Sequence, residues 1–188
     1  MRVSIFCLLL IAAVGVVGCK DRGSAGRPGE SWEQRFRQLL ALYGHRNWIV
    51  VADSAYPDQS GQGIETIVSG ADHLDVLQKV LDGLAASKHV KPIIYTDQEL
   101  QFVPEEGAAG VSAYRQRLAA LFQNRPVSVL PHGQIISKLD QVGQTFRVLI
   151  IKTNMTIPYT SVFLELDCAY WGADAEGKLR ALMPSQPK

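Results

Sequence analysis

Apolar positions along the chain recur at two spacings. Trp32, Phe36, Leu39, Leu40 and Tyr43 return every three or four residues, marking one face of a helix, and Ser31 with Gln34 supplies a capping-box start. Gly44 is the expected stop, because glycine reaches the left-handed conformation that helix ends often need. Residues 48–52, Trp-Ile-Val-Val-Ala, are then apolar without a break, the pattern of a strand covered on both faces. Asp53 stands where that strand emerges, and Pro57 ends any continuation. In open α/β sheets ligands gather at the carboxyl ends of strands, which makes Asp53 the first residue to place in a site.

Further along, residues 58–63 are turn formers and 64–68 a short strand. A helix is predicted from Asp72, with Leu74, Leu77, Val80, Leu81 and Leu84 inward. Strands are predicted at 92–96 and 100–103, then a helix at 111–122 with Tyr114, Leu118, Leu121 and Phe122 inward. A strand at 126–130 leads into a helix that begins at Pro131 and His132 and carries Ile135, Leu139 and Val142. Residues 146–151 and 162–166 are the most apolar strands, and 175–183 is a short final helix. Strands separated by helices of this length predict an α/β fold: a layered α/β/α domain with a mixed or largely parallel sheet.

Composition narrows the classes. The 188 residues, 47% hydrophobic, suffice for one domain with a full core. A net charge of +1 leaves no basic field, which argues against nucleic acid as a partner. Two of the three cysteines fall in the first nineteen residues, so no disulfide framework is expected, and Cys168 reads as an inert buried thiol.

The first residues have a targeting pattern. Arg2 precedes an apolar run at 5–17 that is short for a membrane span, and the run closes on Val16-Val17-Gly18-Cys19. That ending is similar to a bacterial lipoprotein lipobox, which implies cleavage before Cys19 and its lipidation. The expected organisation is a signal peptide at 1–18, a flexible tether at 19–30, a domain at 31–172 and an appendage at 173–188. The expected setting is the bacterial cell envelope, with the chain anchored to a membrane.

The familiar catalytic motifs are missing. The sequence has no P-loop, no Gly-x-Gly-x-x-Gly, no His-Glu-x-x-His and no Gly-x-Ser-x-Gly. Its four histidines lack metal-ligand spacing, so no metal site is expected. His73 and His89, at helix edges among polar residues, read as solvated, as does the Glu105-Glu106 pair. Four positions at element ends remain: His45, Asp53, His132 and Tyr159. Each has a structural explanation when taken singly; the case rests on all four together.

Three separated stretches carry a resemblance to a known family. They are Gly44-His45 with Asp53 and its Asp-x-x-Tyr-Pro ending, Leu130-Pro131-His132, and Pro158-Tyr159-Thr160-Ser161-Val162. Across roughly residues 40–171 the chain resembles the D-ribose pyranase and L-fucose mutarotase family. The resemblance implies an RbsD-like fold and a cofactor-independent sugar isomerase acting on a ribose-like or fucose-like monosaccharide. It implies His45, His132 and Tyr159 as catalytic residues, with Asp53, Thr160 and Ser161 contacting the sugar. Ser161 stands where the family has Asn, and Gly63 near where it usually has a basic residue. Eight residues separate His45 from Asp53, about 26 Å of unbroken strand, so one chain alone would have to bend sharply to bring both to one sugar. Family members form ring-like oligomers, which implies a homo-oligomer with sites at subunit interfaces. The alternative is a non-catalytic envelope lipoprotein that binds a carbohydrate or a partner protein.

Overall fold

The computed structural model describes residues 29–184. In chain order the elements are α1 (Trp32–Leu42), β1 (Trp48–Ala52), β2 (Ile64–Val68), α2 (His73–Ala86) and β3 (Val90–Asp97), followed by a 3-10 turn (Gln98–Phe102). Then come α3 (Val111–Leu121), β4 (Val127–Leu130), α4 (His132–Gly143), β5 (Val148–Lys152), β6 (Val162–Cys168) and α5 (Ala173–Leu182). The strands form one sheet in the order β2-β5-β1-β6-β3-β4. Neighbours pair in parallel except at β6, which runs antiparallel to both β1 and β3. The fold is therefore α/β with a mixed sheet.

This single reversal decides where the site falls. The carboxyl ends of β1, β3 and β4 share one sheet edge with the amino end of β6. Residues that end or follow three strands and residues that precede a fourth are thereby gathered at that edge. Asp53, Asp97, His132 and the 159–161 segment are those residues.

Burial accounts for the order of the central strands. All five residues of β1 are buried, as the unbroken apolar run predicted. Ile49 and Val51 face a core built with α1, α2 and α3, while Trp48, Val50 and Ala52 face a second core under α4. Ser31 closes the expected capping box with Gln34, and Asp72 caps α2 by accepting from the Leu74 and Asp75 amides.

Several expectations are corrected. Residues 100–103 are not a strand: β3 continues to Asp97 in register with β6 and β4, and a 3-10 turn follows with Leu100 turned into the core. Gly44 does not end α1 in a left-handed conformation; the cap is the extended Tyr43, and Arg46 takes the positive φ. His89 is half-buried rather than solvated, with Nε2 3.1 Å from the carbonyls of Leu40 and Tyr43 at the end of α1. His73 is completely buried. The Glu105-Glu106 pair is exposed, as expected, and Glu105 receives the Gly110 and Ser112 amides at the start of α3. The segment ending at Cys19 lies outside the described residues; among those described, no helix is long and apolar enough to cross a membrane.

Gly63 now has a physical reason. A Cβ there would sit 2.6 Å from the carbonyl oxygens of both Gly143 and Phe146. The chain passes too close to the end of α4 for any side chain, including the basic residue usual near this point in the resembling family.

Candidate active site

Asp53 leaves the end of β1 and is fixed on both carboxylate oxygens. Oδ1 accepts the Ala55 amide at 2.9 Å, and Oδ2 accepts the Ser161 hydroxyl at 2.9 Å. The Asp53 amide in turn donates to Ser161 Oγ at 3.3 Å. Ser161 is therefore committed, as donor and acceptor, to holding Asp53.

His132 occupies the first turn of α4, directly after Pro131. Proline at the N-cap offers no side-chain acceptor, and the Glu99 carboxylate substitutes, taking the His132 amide at 3.1 and 3.0 Å. The imidazole Nδ1 lies 3.1 Å from Oδ2 of Asp97. Asp97 itself is buried, while the His132 side chain is 38% exposed. Burial pushes the Asp97 carboxyl up to about 6; the His132 imidazole pulls against that shift, and Glu99 and Asp53 add to it. The other oxygen of Asp97 has no hydrogen-bond partner among the described residues. With Nδ1 held by Asp97, Nε2 is the ring nitrogen left to meet a ligand.

Tyr159 completes the arrangement. Its ring stands edge-on to His132, centroids 5.7 Å apart. Its φ of 59° is left-handed, a conformation that costs a non-glycine residue about 1 kcal/mol or more and persists only where neighbours impose it. Asp53, Tyr56, His132, Ile136, Pro158 and Tyr159 are among the residues enclosing a cavity of about 370 Å³. That is near the lower end of small-molecule sites, about 300–1,000 Å³, and suits one small ligand.

The structure thus brings Asp53, His132 and Tyr159 together. It does not bring the others to the cavity. Thr160 and Ser161 are buried, and the Thr160 hydroxyl donates to the Ile157 carbonyl at 2.8 Å. His45 is exposed in the turn before β1, at the opposite end of that strand from Asp53. Among the described residues no group of three or more His, Cys, Asp or Glu is placed to hold a metal ion.

Two functional candidates escaped the sequence reading. Asp97 ends a strand just as Asp53 follows one, but ending β3 one residue short and reading 100–103 as a further strand hid it. Tyr56, inside the Asp-x-x-Tyr-Pro motif, lines the cavity while only 5% exposed, and burial pushes its phenol well above the ordinary range.

No protein-family model matches the chain, and no curated protein matches it. Among solved structures the chain is similar to Bacillus subtilis RbsD complexed with D-ribose, at 22% identity, covering 70% of this chain and 89% of that one, with a TM-score of 0.48. It is also similar to the fucose mutarotase from Streptococcus pneumoniae in complex with L-fucose, at 17% identity, covering 72% and 91%, with a TM-score of 0.46. FucU from Bifidobacterium longum is 13% identical, with 70% and 91% covered and a TM-score of 0.49.

Proposed function

We propose that the protein interconverts the anomers or ring forms of a monosaccharide by acid/base proton transfer in the cavity between Asp53, His132 and Tyr159. The observation that carries this reading is the buried Asp97 carboxylate on Nδ1 of a half-exposed imidazole. Such a carboxylate orients the ring and offsets the charge that forms when Nε2 takes a proton. The three sequence stretches shared with the pyranase and mutarotase family give independent support.

Opening a cyclic hemiacetal requires one proton to leave the anomeric hydroxyl and one to reach the ring oxygen as the C–O bond breaks. In this reading His132 Nε2 takes the first proton. The hydroxyl of Tyr159, whose ring stands edge-on to His132, delivers the second. Rotation about the first carbon–carbon bond and reversal of both transfers give the other anomer, whereas attack by a different sugar hydroxyl, its proton passing to the Tyr159 phenolate while the imidazolium returns its own to the carbonyl oxygen, gives the other ring form. Asp53, its oxygens oriented by Ala55 and Ser161, accepts sugar hydroxyls on its remaining lone pairs. No redox change or group transfer occurs, so side chains alone balance the reaction.

His45 takes part as a residue of a neighbouring copy, reaching across a subunit contact into the cavity. Its exposure supports this, since its own Asp53 lies at the other end of β1. The stretch ending at Cys19 supports a lipid-anchored setting in the bacterial envelope.

Saturation-transfer NMR on a panel of aldoses tests the reading. Exchange between anomers or ring forms should quicken in the presence of the protein for at least one ribose-like or fucose-like sugar. A second reading, sugar binding without turnover, is favoured by the engagement of Thr160 and Ser161 in protein hydrogen bonds, away from the cavity. Binding with no gain in exchange would select it.

A further inference from the structure

On the α2–α3 face of the sheet, behind the cavity, a buried polar bridge spans two segments that carry the site. His73 Nε2 lies 3.2 Å from the Val51 carbonyl, two residues before Asp53. His73 Nδ1 lies 3.2 Å from the Tyr114 hydroxyl, with the rings edge to face at 5.7 Å. The Tyr114 hydroxyl donates to the Thr160 carbonyl at 3.1 Å. Thr160 sits between Tyr159 and Ser161. His73, Tyr114 and Thr160 are all buried.

The chemistry of the bridge fixes its sense. A carbonyl only accepts, so Nε2 carries the proton of the His73 ring. Burial lowers the His73 pKa to about 4, which leaves the ring uncharged at neutral pH and Nδ1 an acceptor. Tyr114 has a single hydroxyl proton and gives it to the Thr160 carbonyl, so what seats it on His73 is the edge-to-face packing of the two rings rather than a second hydrogen bond. An unpartnered carbonyl is costly at this depth, and the hydroxyl removes that cost only while the turn holds its present shape.

We infer that Tyr114, seated on His73, is a positioning residue for the candidate site: its hydroxyl holds the Thr160 carbonyl and thereby keeps Tyr159 left-handed, edge-on to His132. The consequence for turnover rests on the proposed reaction; the consequence for geometry does not. Thr160 Oγ1 closes the same turn onto Ile157 from within, so Tyr114 supplies the anchor from outside it.

The test is Tyr114→Phe in the full chain, which keeps the ring and deletes one oxygen. NMR of labelled histidine and tyrosine rings should show displaced His132 and Tyr159 signals, with the distant His45 signal unmoved. Sugar exchange should slow on the order of tenfold, with sugar affinity changed less than twofold, a split that general loosening of the fold would not give. Displaced ring signals in a protein that exchanges no sugar, before or after substitution, would uphold the positioning and reject the proposed reaction. A folded variant with unmoved ring signals would overturn the positioning. Should the variant fail to fold, the unaltered chain answers instead. A slowly exchanging Tyr114 hydroxyl proton, close to Thr160 in NMR, is expected; fast exchange of that proton with water would reject the inference.

Discussion

Asp97 and His132 meet carboxylate to imidazole at 3.1 Å, although 35 residues separate them in the chain. Parallel pairing sets this contact: Asp97 lies opposite Leu130 in the β3–β4 ladder, and two residues later the chain places His132 above it. One partner is buried and the other half-exposed, so a proton held between them can reach the cavity from one side only.

Asp97→Asn should fold and lose exchange on the order of 10²-fold, because the amide cannot offset a charged imidazole. The substitution should also change acid stability. A carboxyl raised to about 6 from an ordinary 3.8 holds its proton more tightly in the folded chain than in the unfolded one. Its contribution is therefore greatest at low pH and is lost as pH rises from about 4 to about 6. Urea denaturation across that window should show the falling component in the parent chain and not in the variant.

His73 should contribute the opposite slope. Its folded pKa is lowered to about 4, so below its ordinary 6.5 the unfolded chain gains a proton that the folded chain refuses. Stability from this group is complete above pH 6.5 and declines at about 1.4 kcal/mol per pH unit toward pH 4. His73→Gln should remove that decline, as measured by denaturant midpoints at successive pH values.

Gly63→Ala should cost about 1–3 kcal/mol, the range for forcing an extra carbon into a packed contact, since both facing carbonyls belong to backbone. Chemical denaturation measures it. A neutral result would mean that the end of α4 yields more easily than its contacts suggest.

Chains carrying His45→Ala or His132→Ala should each lose exchange on the order of 10²-fold. Refolded together, they should recover part of it, because some cavities would then join an intact His132 to an intact His45 from another copy. A mixture as inactive as its components would remove the shared site.

The sequence pattern showed the continuous run of β1 and the apolar stripe of α2 directly, because burial on both sides of a sheet and on one side of a helix leaves a periodic trace. Asp53, His132 and Tyr159 were legible as element ends. Asp97 was not, because only the ladder registers reveal that β3 runs on to it. His73 was misread from its polar neighbours, yet it falls in phase with Leu77, Val80 and Leu84, the buried face of α2. The seating of Ser161 against Asp53 and of Thr160 against Tyr114 depends on which way a hydroxyl and a carbonyl turn, and spacing carries no trace of that.

The passage from β5 to β6 begins and ends on one rim of the sheet, crossing over the mouth of β1 on the way. Thr153 fastens it to the Ala52 carbonyl and Met155 to the Ser54 amide, while Tyr159 hangs over the cavity farther along. Because the first mooring is the end of β1, and Ile157 packs on the core with its carbonyl tied to Thr160, the latitude left to this loop lies at Thr156 and Pro158, two exposed positions on the cavity rim whose side chains can change without altering a strand pairing.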